Sequence, residues 1–272
     1  MPELPEVETI KRDLEGKIVG LCFTGVTLHW PKMLQNLSPE AFKHRLISQC
    51  IEGLKRRGKY LIFHLSSGDA LILHLRMSGS LRLDSDCYND PYIRAVFNLD
   101  NGSKLYFRDP RKFGMIWLVA DEEQVVCKLG PEPLDKSFKV KDLQSILSSH
   151  SAPIKAVLCD QTVIAGVGNM YADEALFDAC IHPERKANRL SNAEIKRLHS
   201  AISKVIKKAI DGGGASISDY RRPDGKSGEA QFVFNVAHQL GKKCSRCGTS
   251  IERIPIRKRG SYFCPKCQGK TD

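Results

Sequence analysis

Four cysteines near the end of the chain have the spacing of a metal site. Cys244 and Cys247 form one Cys-x-x-Cys pair, Cys264 and Cys267 form a second, and 16 residues separate the pairs. Zinc favours four thiolates in a tetrahedron, and each pair can bring two sulfurs to one ion while the spacer returns as a hairpin. The sequence therefore predicts one structural Zn²⁺ held by all four cysteines.

Positive charge is concentrated around this predicted finger. Between residues 241 and 272 there are nine Lys or Arg against two Asp or Glu, so +7 of the chain's formal net charge of +11 lies there. The finger could serve only to hold the terminus folded, but such a basic hairpin favours contacts with phosphates. We place residues 257–260 at the hairpin turn and expect Arg259 to make the contact at its tip.

The amino terminus offers a second kind of chemistry. If Met1 is removed, Pro2 presents a secondary amine, a nucleophile that forms an iminium with an aldehyde-like sugar carbon. Glu3 and Glu6 are three residues apart, so a helix would bring both carboxyls to one face beside the amine, where one can shuttle protons. The alternative is structural, because Pro and Glu in a first turn also favour a helix start.

Composition limits the class of protein. The chain has 272 residues, of which 42% are hydrophobic and 27% charged, as in a soluble protein of about two domains, and its net charge of +11 favours a polyanionic partner. We find no apolar run of ~18 residues and no signal-peptide pattern, so we expect a cytoplasmic protein with no membrane partner. We expect the six cysteines that occur singly to be buried free thiols. These are Cys22, Cys50, Cys87, Cys127, Cys159 and Cys180.

The elements that position these groups begin with a helix and continue as strands. Val7, Ile10, Leu14 and Ile18 recur at helical spacing, which predicts an opening helix. Short runs rich in β-branched and aromatic residues follow, and they indicate mostly antiparallel strands arranged as a β-sandwich. The predicted strands are residues 22–30, 60–65, 70–75, 93–99, 104–107 and 115–119.

After a linker rich in Gly and Pro at residues 130–134, the pattern becomes helical. Ser191 and Glu194 form a capping box for a long helix that ends at Gly212, and residues 216–232 are typical of a mobile surface loop. Shorter helices are predicted at residues 141–149, 153–161 and 169–179. The predicted class is α+β, with a β-sandwich domain (1–130), a helical domain (131–236) and a zinc finger (237–272).

Six segments stand in a fixed order along the chain. They are PELPEVE at 2–8, RGKYL at 57–61, HLRMSG at 74–79, DPRKFG at 109–114, GPEP at 130–133 and AGVGNMY at 165–171, with the four-cysteine finger after them. Together they resemble the formamidopyrimidine-DNA glycosylase and endonuclease VIII family over nearly the whole chain. The resemblance implies that a β-sandwich and a helix-two-turns-helix domain grip DNA with the help of the zinc finger.

The resemblance also implies a catalytic set. Pro2 would attack C1′ of a damaged nucleotide, displace the base and leave an iminium that undergoes β and δ eliminations. Glu3 would act as general acid and base on the sugar, and Glu6 would support the site. Lys59 would contact a phosphate beside the lesion and assist proton transfer. Arg259, in the zinc finger, would be the fourth catalytic residue.

Further residues are implied to bind DNA. Met77 would fill the gap left by an extruded nucleotide, Phe113 would wedge beside it, and Arg111 would bond the orphaned base, by family precedent cytosine. Without the family, core positions are the alternative for Met77 and Phe113, and a solvent-facing position for Arg111. The remaining implied DNA contacts are His74, Lys155 and Asn169; Asn169 could alternatively cap a helix.

The DPRKFG segment favours the formamidopyrimidine branch, which removes oxidised purines such as 8-oxoguanine and formamidopyrimidines. We therefore expect a monomeric, bacterial, bifunctional glycosylase and lyase that acts on double-stranded DNA with oxidised bases or abasic sites. The alternatives are an endonuclease VIII-like glycosylase for oxidised pyrimidines and a non-catalytic protein that binds damaged DNA. Ser78 stands where some relatives carry a carboxylate near the damaged base, and Ala237-His238 stand where many have Tyr-Gly.

Overall fold

The computed structural model describes residues 2–84 and 89–269, and its chain forms two compact units. The first unit contains Met1–Lys128 and Gly212–Gln231, and the second contains Leu129–Asp211 and Phe232–Asp272. In the described part of the chain, no helix is long and apolar enough to cross a membrane.

The first unit is a β-sandwich with an opening helix. Its helices are α1 (Leu4–Ile18), α2 (Pro39–Leu46) and α3 (Glu123–Val126). Its strands are β1 (Phe23–Leu28), β2 (Ile51–Arg57), β3 (Tyr60–Leu65), β4 (Ala70–His74), β5 (Ser80–Leu83), β6 (Ile93–Leu99), β7 (Lys104–Arg108) and β8 (Met115–Val119). They form two antiparallel four-stranded sheets, in the orders β1-β6-β7-β5 and β2-β3-β4-β8. Both sheets bury their inner faces in one core, which confirms the predicted sandwich.

The predicted apolar face of α1 is buried in that core. Val7, Ile10, Leu14 and Ile18 are each at most 1% exposed. Full burial of one such side chain contributes about 1.5–3 kcal/mol, so this stripe holds the start of the chain firmly against the sheets. The helix therefore gives the amino terminus a fixed position.

The sequence did not predict β2, β5 or α2. In β2 only Ile51 and Leu54 are buried, three residues apart and separated by polar positions, so the strand lacks the alternation that identifies a half-buried strand. Only four residues form β5, too few to give a period. Both strands form because of their partners in the sheets rather than because of their own sequence pattern.

The second unit is helical and ends in a two-stranded hairpin. Its elements are α4 (Val140–Ser148), α5 (Ile154–Leu158), α6 (Asn169–Asp178), α7 (Asn192–Asp211), β9 (Glu252–Ile256) and β10 (Arg259–Phe263). The capping box is confirmed: the N–H of Ser191 donates to Glu194 at 2.7 Å, and the N–H of Glu194 donates to Ser191 Oγ at 3.3 Å. Helix α5 ends before residue 161 because the carboxylate of Asp160 accepts the N–H of Thr162 and starts a turn.

Residues 216–232, which the sequence assigns to the helical domain as a loop, pack with the first unit. Arg222 donates two hydrogen bonds to the carboxylate of Asp13 on α1, at 2.7 and 2.8 Å, and the N–H of Leu83 donates to the carbonyl of Pro223. Gly228 permits a close backbone contact, because a Cβ there would lie 2.1 Å from the carbonyl oxygen of Gly214. This placement depends on contacts between distant segments, which local periodicity does not reveal.

The prediction of six buried free thiols is wrong for four of the cysteines. Cys22 and Cys50 form a disulfide, because they oppose each other as an antiparallel pair beside β1 and β2. Cys127 and Cys180 are outside any disulfide but exposed, and Cys159 is a buried thiol outside any disulfide, as expected. Cys87 lies outside the described residues.

Candidate active site and metal centre

Two buried carboxyl groups lie at the start of the chain. Glu3 is the extended residue that precedes α1, and its side chain is 1% exposed. Glu6, in the first helical turn, is fully buried and accepts the backbone N–H of Glu3 at 2.7 Å. Pro2 is buried beside them. Glu3 thus lies at the cap rather than on the helix face that the spacing suggested, and Glu6 fixes the backbone that carries it.

The second carboxylate oxygen of Glu6 reaches the base of the 216–232 segment. It accepts the N–H of Ala215 at 2.8 Å, and Gly214, at φ +78°, lies so close that a Cβ would be 3.0 Å from Glu6 Cγ. The hydroxyl of Tyr220 donates to the carbonyl of Gly213 at 3.1 Å. Glu6 therefore joins the amino terminus to the base of this segment.

An ion pair holds α1 beside the turn that carries Lys59. Arg56 donates to Glu8 at 2.8 Å. Burial would raise the pKa of Glu8, but hydrogen bonds from Arg56 and Arg12 outweigh it and hold that pKa below its ordinary value. Gly58, at φ +55°, and Lys59 form the two-residue turn between β2 and β3, and Lys59 is 6% exposed. It is therefore not the freely solvated lysine that surface loops usually carry.

His74 organises the loop that presents Met77. Burial, with the nearby cations of Arg76 and Lys59, lowers the pKa of His74 to about 3, so its ring is neutral near pH 7. Its Nδ1 atom accepts the backbone N–H of Arg76 at 3.0 Å, and Arg76 adopts φ +54°. Met77 follows directly and is 41% exposed, so it is not a core residue.

The loop between β7 and β8 presents Arg111 and Phe113. Phe113 is 49% exposed, and the guanidinium of Arg111 lies over its ring at 4.9 Å from the centroid. Lys112 between them adopts φ +60°, and its ammonium lies 4.3 Å from the centroid of the Trp30 ring. Met77 and Phe113 lie on two loops that the Ser78–Asp109 hydrogen bond joins, and their exposure makes both available to one partner.

In the second unit, one backbone carbonyl of the hairpin links two predicted DNA-binding residues. Lys155 on α5 donates to the carbonyl of Gly260 at 2.9 Å, and the side-chain amide of Asn169 donates to the same oxygen at 3.0 Å. Lys155 also pairs with Asp173 at 2.7 Å, and Asp173 accepts the N–H of Tyr262. Burial raises the pKa of Asp173 to about 7, although the Lys155 ammonium opposes the rise.

The turn at the basic end of the hairpin is shorter than the sequence suggested. The turn consists only of Arg257 and Lys258, at φ +44° and +64°, and Arg259 is the exposed first residue of β10. Residues with left-handed backbone are favoured in two-residue hairpin turns, so the turn has two residues rather than the four that the sequence suggested. Arg259 lines a cavity of 370 Å³ together with Arg257 and Lys155. Lys155 is already paired with Asp173, but Arg257 and Arg259 outnumber Asp160, the one acidic residue of the lining, so the cavity favours an anionic occupant.

The four predicted metal ligands converge. The sulfurs of Cys244, Cys247, Cys264 and Cys267 all lie within 4.8 Å of one another. A tetrahedral zinc with Zn–S bonds of about 2.3 Å would separate its sulfurs by about 3.8 Å, and Cys244 and Cys267 lie at 3.8 Å. Four thiolates are also the donor set that structural zinc prefers, so the residues fit the ion.

The predicted site residues are divided between the two units. The first unit carries Pro2, Glu3, Glu6, Lys59, His74, Met77, Arg111 and Phe113; the second carries Lys155, Asn169, Arg259 and the four cysteines. The sequence did not single out the buried carboxylates of Asp109, Asp173 and Glu174. Glu174 accepts the N–H groups of residues 235–237 just before the finger. The sequence signal for Asp173 and Glu174 is a pair of carboxylates inside a mostly apolar helix, whereas Asp109 opens the DPRKFG motif.

His238, just before the finger, has a backbone conformation that glycine adopts more readily than other residues. His238 adopts φ +59°, and its ring lies 5.5 Å from that of Tyr262 on β10. Left-handed backbone is costly for a residue with a Cβ, so this position explains why glycine is favourable there.

Three protein-family models match the chain in sequence order. The formamidopyrimidine-DNA glycosylase N-terminal domain matches residues 1–116, the formamidopyrimidine-DNA glycosylase H2TH domain matches residues 129–221, and the zinc finger found in FPG and IleRS matches residues 241–269. Together the matches span most of both units.

Proteins similar to this chain include both sequences and solved structures. A formamidopyrimidine-DNA glycosylase of Herpetosiphon aurantiacus is 44% identical over 273 residues, which cover 98% of this chain and 100% of the relative. A Lactococcus lactis FPG mutant in complex with a Fapy-dG containing DNA is 39% identical, with a TM-score of 0.93, and the match covers 99% of this chain and 100% of that one. A structure of MutM in complex with carbocyclic 8-oxo-G containing DNA is 39% identical, with a TM-score of 0.91 and the same coverage.

Proposed function

Because the chain belongs to the formamidopyrimidine-DNA glycosylase family, we propose that it is a bifunctional base-excision repair enzyme. It binds double-stranded DNA that contains oxidised bases or abasic sites, removes oxidised purines and cuts the strand. The observation that carries this function is the buried Glu3–Glu6 arrangement, which holds an acid and a fixed backbone beside Pro2. We assign it to the bacterial cytosol as a monomer, and we divide its sequence into domains 1–130, 131–236 and 237–272, of which residues 212–231 pack with the first.

The reaction begins at the secondary amine that Pro2 presents once Met1 is removed. Its lone pair forms a bond to C1′ while the glycosidic bond breaks, and the electron pair of that bond leaves with the base, which takes up a proton. The sugar ring then opens at C1′–O4′, O4′ is protonated, and a cationic iminium remains. Loss of a proton from C2′ expels the 3′-phosphate, and a further elimination expels the 5′-phosphate.

The two carboxyl groups have different roles in these steps. Glu3 donates a proton as the sugar ring opens and accepts one during elimination, a role favoured by its position directly next to Pro2. Glu6 acts through position, because its two oxygens are committed to the backbone of Glu3 and Ala215. Lys59 contacts the phosphate beside the lesion from the β2–β3 turn.

The exposed side chains of the first unit occupy the space of the extruded nucleotide. Met77 and Phe113 insert into the stack and Arg111 bonds the orphaned base. Their exposure supports this role, since apolar side chains of this size are usually buried. His74 supports the Met77 loop and contacts the DNA backbone at its edge.

The second unit contributes phosphate contacts and the zinc finger. Lys155 and Asn169 donate to the carbonyl of Gly260, and Arg259 lines the adjoining cavity with Lys155; we assign all three to contacts with the sugar-phosphate backbone. One Zn²⁺ held by the four cysteines stabilises the finger fold when bound. The ion has a structural role, because all four of its positions are filled by thiolates.

Substrate preference is tested by cleavage of a panel of duplexes. We expect 8-oxoguanine and formamidopyrimidine to be excised faster than thymine glycol, on the order of tenfold or more, with cytosine the preferred opposite base. Arg111 is the reason for the second preference, because a good hydrogen-bonded pair discriminates between bases by about 1–3 kcal/mol. Single-turnover rates with each lesion opposite each of the four bases provide the measurement.

Two outcomes of this panel would replace the proposal. Faster removal of thymine glycol than of 8-oxoguanine would assign the protein to the endonuclease VIII type. Tight binding to every lesion without cleavage of any would make it a non-catalytic protein that binds damaged DNA. An undamaged duplex of the same sequence serves as the control for nonspecific nicking.

DNA affinity is expected to fall steeply with salt. If ~5 phosphates are neutralised, the slope of the logarithm of the binding constant against the logarithm of salt concentration is about −4.5. Arg259→Ala should make this slope less steep by about 0.9, since it removes one phosphate contact. Fluorescence anisotropy with a duplex that carries a tetrahydrofuran abasic analogue, which cannot form the iminium and is not cut, measures both slopes.

A second cation, outside the proposed contact surface, provides the matched control. Lys207 is exposed on α7, and Lys207→Ala removes the same charge without touching the finger. If both variants change the slope equally, the contact at Arg259 is not specific.

A further inference from the structure

One buried carboxylate lies where the two loops with exposed apolar side chains meet. We call residues 74–80 the Met77 loop and residues 109–114 the Arg111 loop. Asp109, which is 1% exposed, accepts the hydroxyl of Ser78 at 2.5 Å and the N–H of Gly114 at 2.7 Å. It also accepts the N–H of Arg111 at 3.3 Å. A single carboxylate therefore binds both loops.

Ser78 forms the bridge between the loops. Its side chain is 1% exposed, and its hydroxyl accepts the N–H of Arg111 at 3.3 Å while donating to Asp109. Three polar groups, the Ser78 hydroxyl, the Asp109 carboxylate and the Arg111 amide, thus form a closed triangle. A buried hydrogen bond to a carboxylate is stronger than one between neutral groups, so the Ser78–Asp109 bond holds the two loops firmly together.

The backbone next to each presented side chain is left-handed. Arg76 precedes Met77 at φ +54°, and Lys112 separates Arg111 from Phe113 at φ +60°. Such conformations cost energy for residues with a Cβ and persist where the surrounding contacts determine them. His74 fixes the first one by accepting the Arg76 N–H, and Asp109 fixes the second by accepting the N–H groups at residues 111 and 114.

We propose that Asp109 and Ser78 are positioning residues that couple the two loops, so that Met77, Arg111 and Phe113 enter DNA as one rigid set. The inference rests on the proposed function, because it concerns how that enzyme selects the base opposite the lesion. Both side chains are only 1% exposed, so each acts from beneath the loops rather than on the substrate. Each acts through the backbone N–H of Arg111, which aims the guanidinium at the orphaned base.

The coupling is tested with Ser78→Ala. We expect the preference for 8-oxoguanine opposite cytosine over adenine, measured as the ratio of single-turnover excision rates, to fall about tenfold. A merely structural role would lower both rates alike and leave their ratio unchanged. Asp109→Asn is expected to lower the same ratio at least as much, since the amide keeps only one acceptor oxygen.

Ser80 offers a matched control two residues away. It is fully buried, and its hydroxyl has no hydrogen-bond partner among the described residues. Ser80→Ala removes the same group from the same segment, and we expect it to leave the selectivity ratio and the melting temperature unchanged. If Ser80→Ala and Ser78→Ala lower the ratio equally, the effect is general loosening of the segment and the coupling is refuted.

A double-mutant cycle identifies the residue through which Ser78 acts. If Ser78 works by aiming Arg111, then Ser78→Ala should not lower the ratio further in an Arg111→Ala background. Additive losses would overturn the coupling. Absence of excision by the wild-type protein would overturn the proposed function instead, so the two failures are distinguishable.

Discussion

Blocking the amine of Pro2 is expected to abolish covalent capture of abasic DNA. Borohydride reduces an iminium to a stable amine, so an active enzyme becomes permanently attached to its substrate. With a residue still in front of Pro2, the nitrogen is an amide and has no nucleophilic lone pair, and we expect capture to fall at least about a thousandfold. This is the largest effect that any single change in the first unit should produce.

A cleavable amino-terminal extension provides the measurement and its control in one preparation. A protease that leaves Pro2 as the first residue should switch capture on, while the uncleaved protein, identical in every other residue, should not be captured. Intact mass establishes which form is present and whether Met1 has been removed. Pro2→Gly keeps a primary amine and should be captured to a lesser degree. Equal capture before and after cleavage would exclude Pro2 as the nucleophile.

The sequence predicted the parts of the fold that depend on local pattern. The apolar stripe of α1 and the Ser191–Glu194 capping box each lie within one helix, and each alone specifies a helix with a defined face or start. The metal site was predicted for a similar reason, since two pairs of cysteines joined by a short hairpin bring all four sulfurs together. Such features need no knowledge of the rest of the chain.

The features that the sequence did not predict depend on pairs of residues far apart in the chain. Ser78 and Asp109 are 31 positions apart, and Arg222 and Asp13 are 209 apart. No periodicity links such residues, because a sheet or a folded loop brings them together only after the core has formed. The contacts that hold the candidate site side chains in place are also between distant segments. The sequence suggested which residues belong to the site, and the structure shows what fixes their positions.

Removal of zinc is expected to weaken DNA binding on the order of a hundredfold while most of the protein remains folded. The finger shares a small core with α6, in which Phe177, Val236 and Ile251 pack against Cys244 and Cys264. Structural zinc contributes about 10–16 kcal/mol to folding in isolated fingers, so this small core alone does not hold the hairpin in place. Without the ion, Arg259 loses its fixed position next to Lys155 and Asn169.

Chelation followed by anisotropy with a duplex that carries the uncleavable tetrahydrofuran analogue tests this expectation, and metal analysis should find one zinc per chain beforehand. Cys247→Ser should reproduce the loss, whereas Cys127→Ser should not, because Cys127 is an exposed free cysteine outside the finger. Circular dichroism should retain the signal of the helices and the sandwich. Restoring zinc should restore affinity in the wild-type protein only.

The direction in which DNA affinity changes on chelation shows whether binding depends on the folded shape of the finger or on its net charge. Zn²⁺ with four thiolates carries −2, so the finger's net charge is about +5 with the ion and about +7 once the ion is gone and the thiols are protonated. If affinity depended on net charge alone, chelation would leave it unchanged or raise it. A loss on chelation means that the cations bind phosphate only from the folded hairpin. A gain would contradict that conclusion and leave the finger as a flexible basic tail.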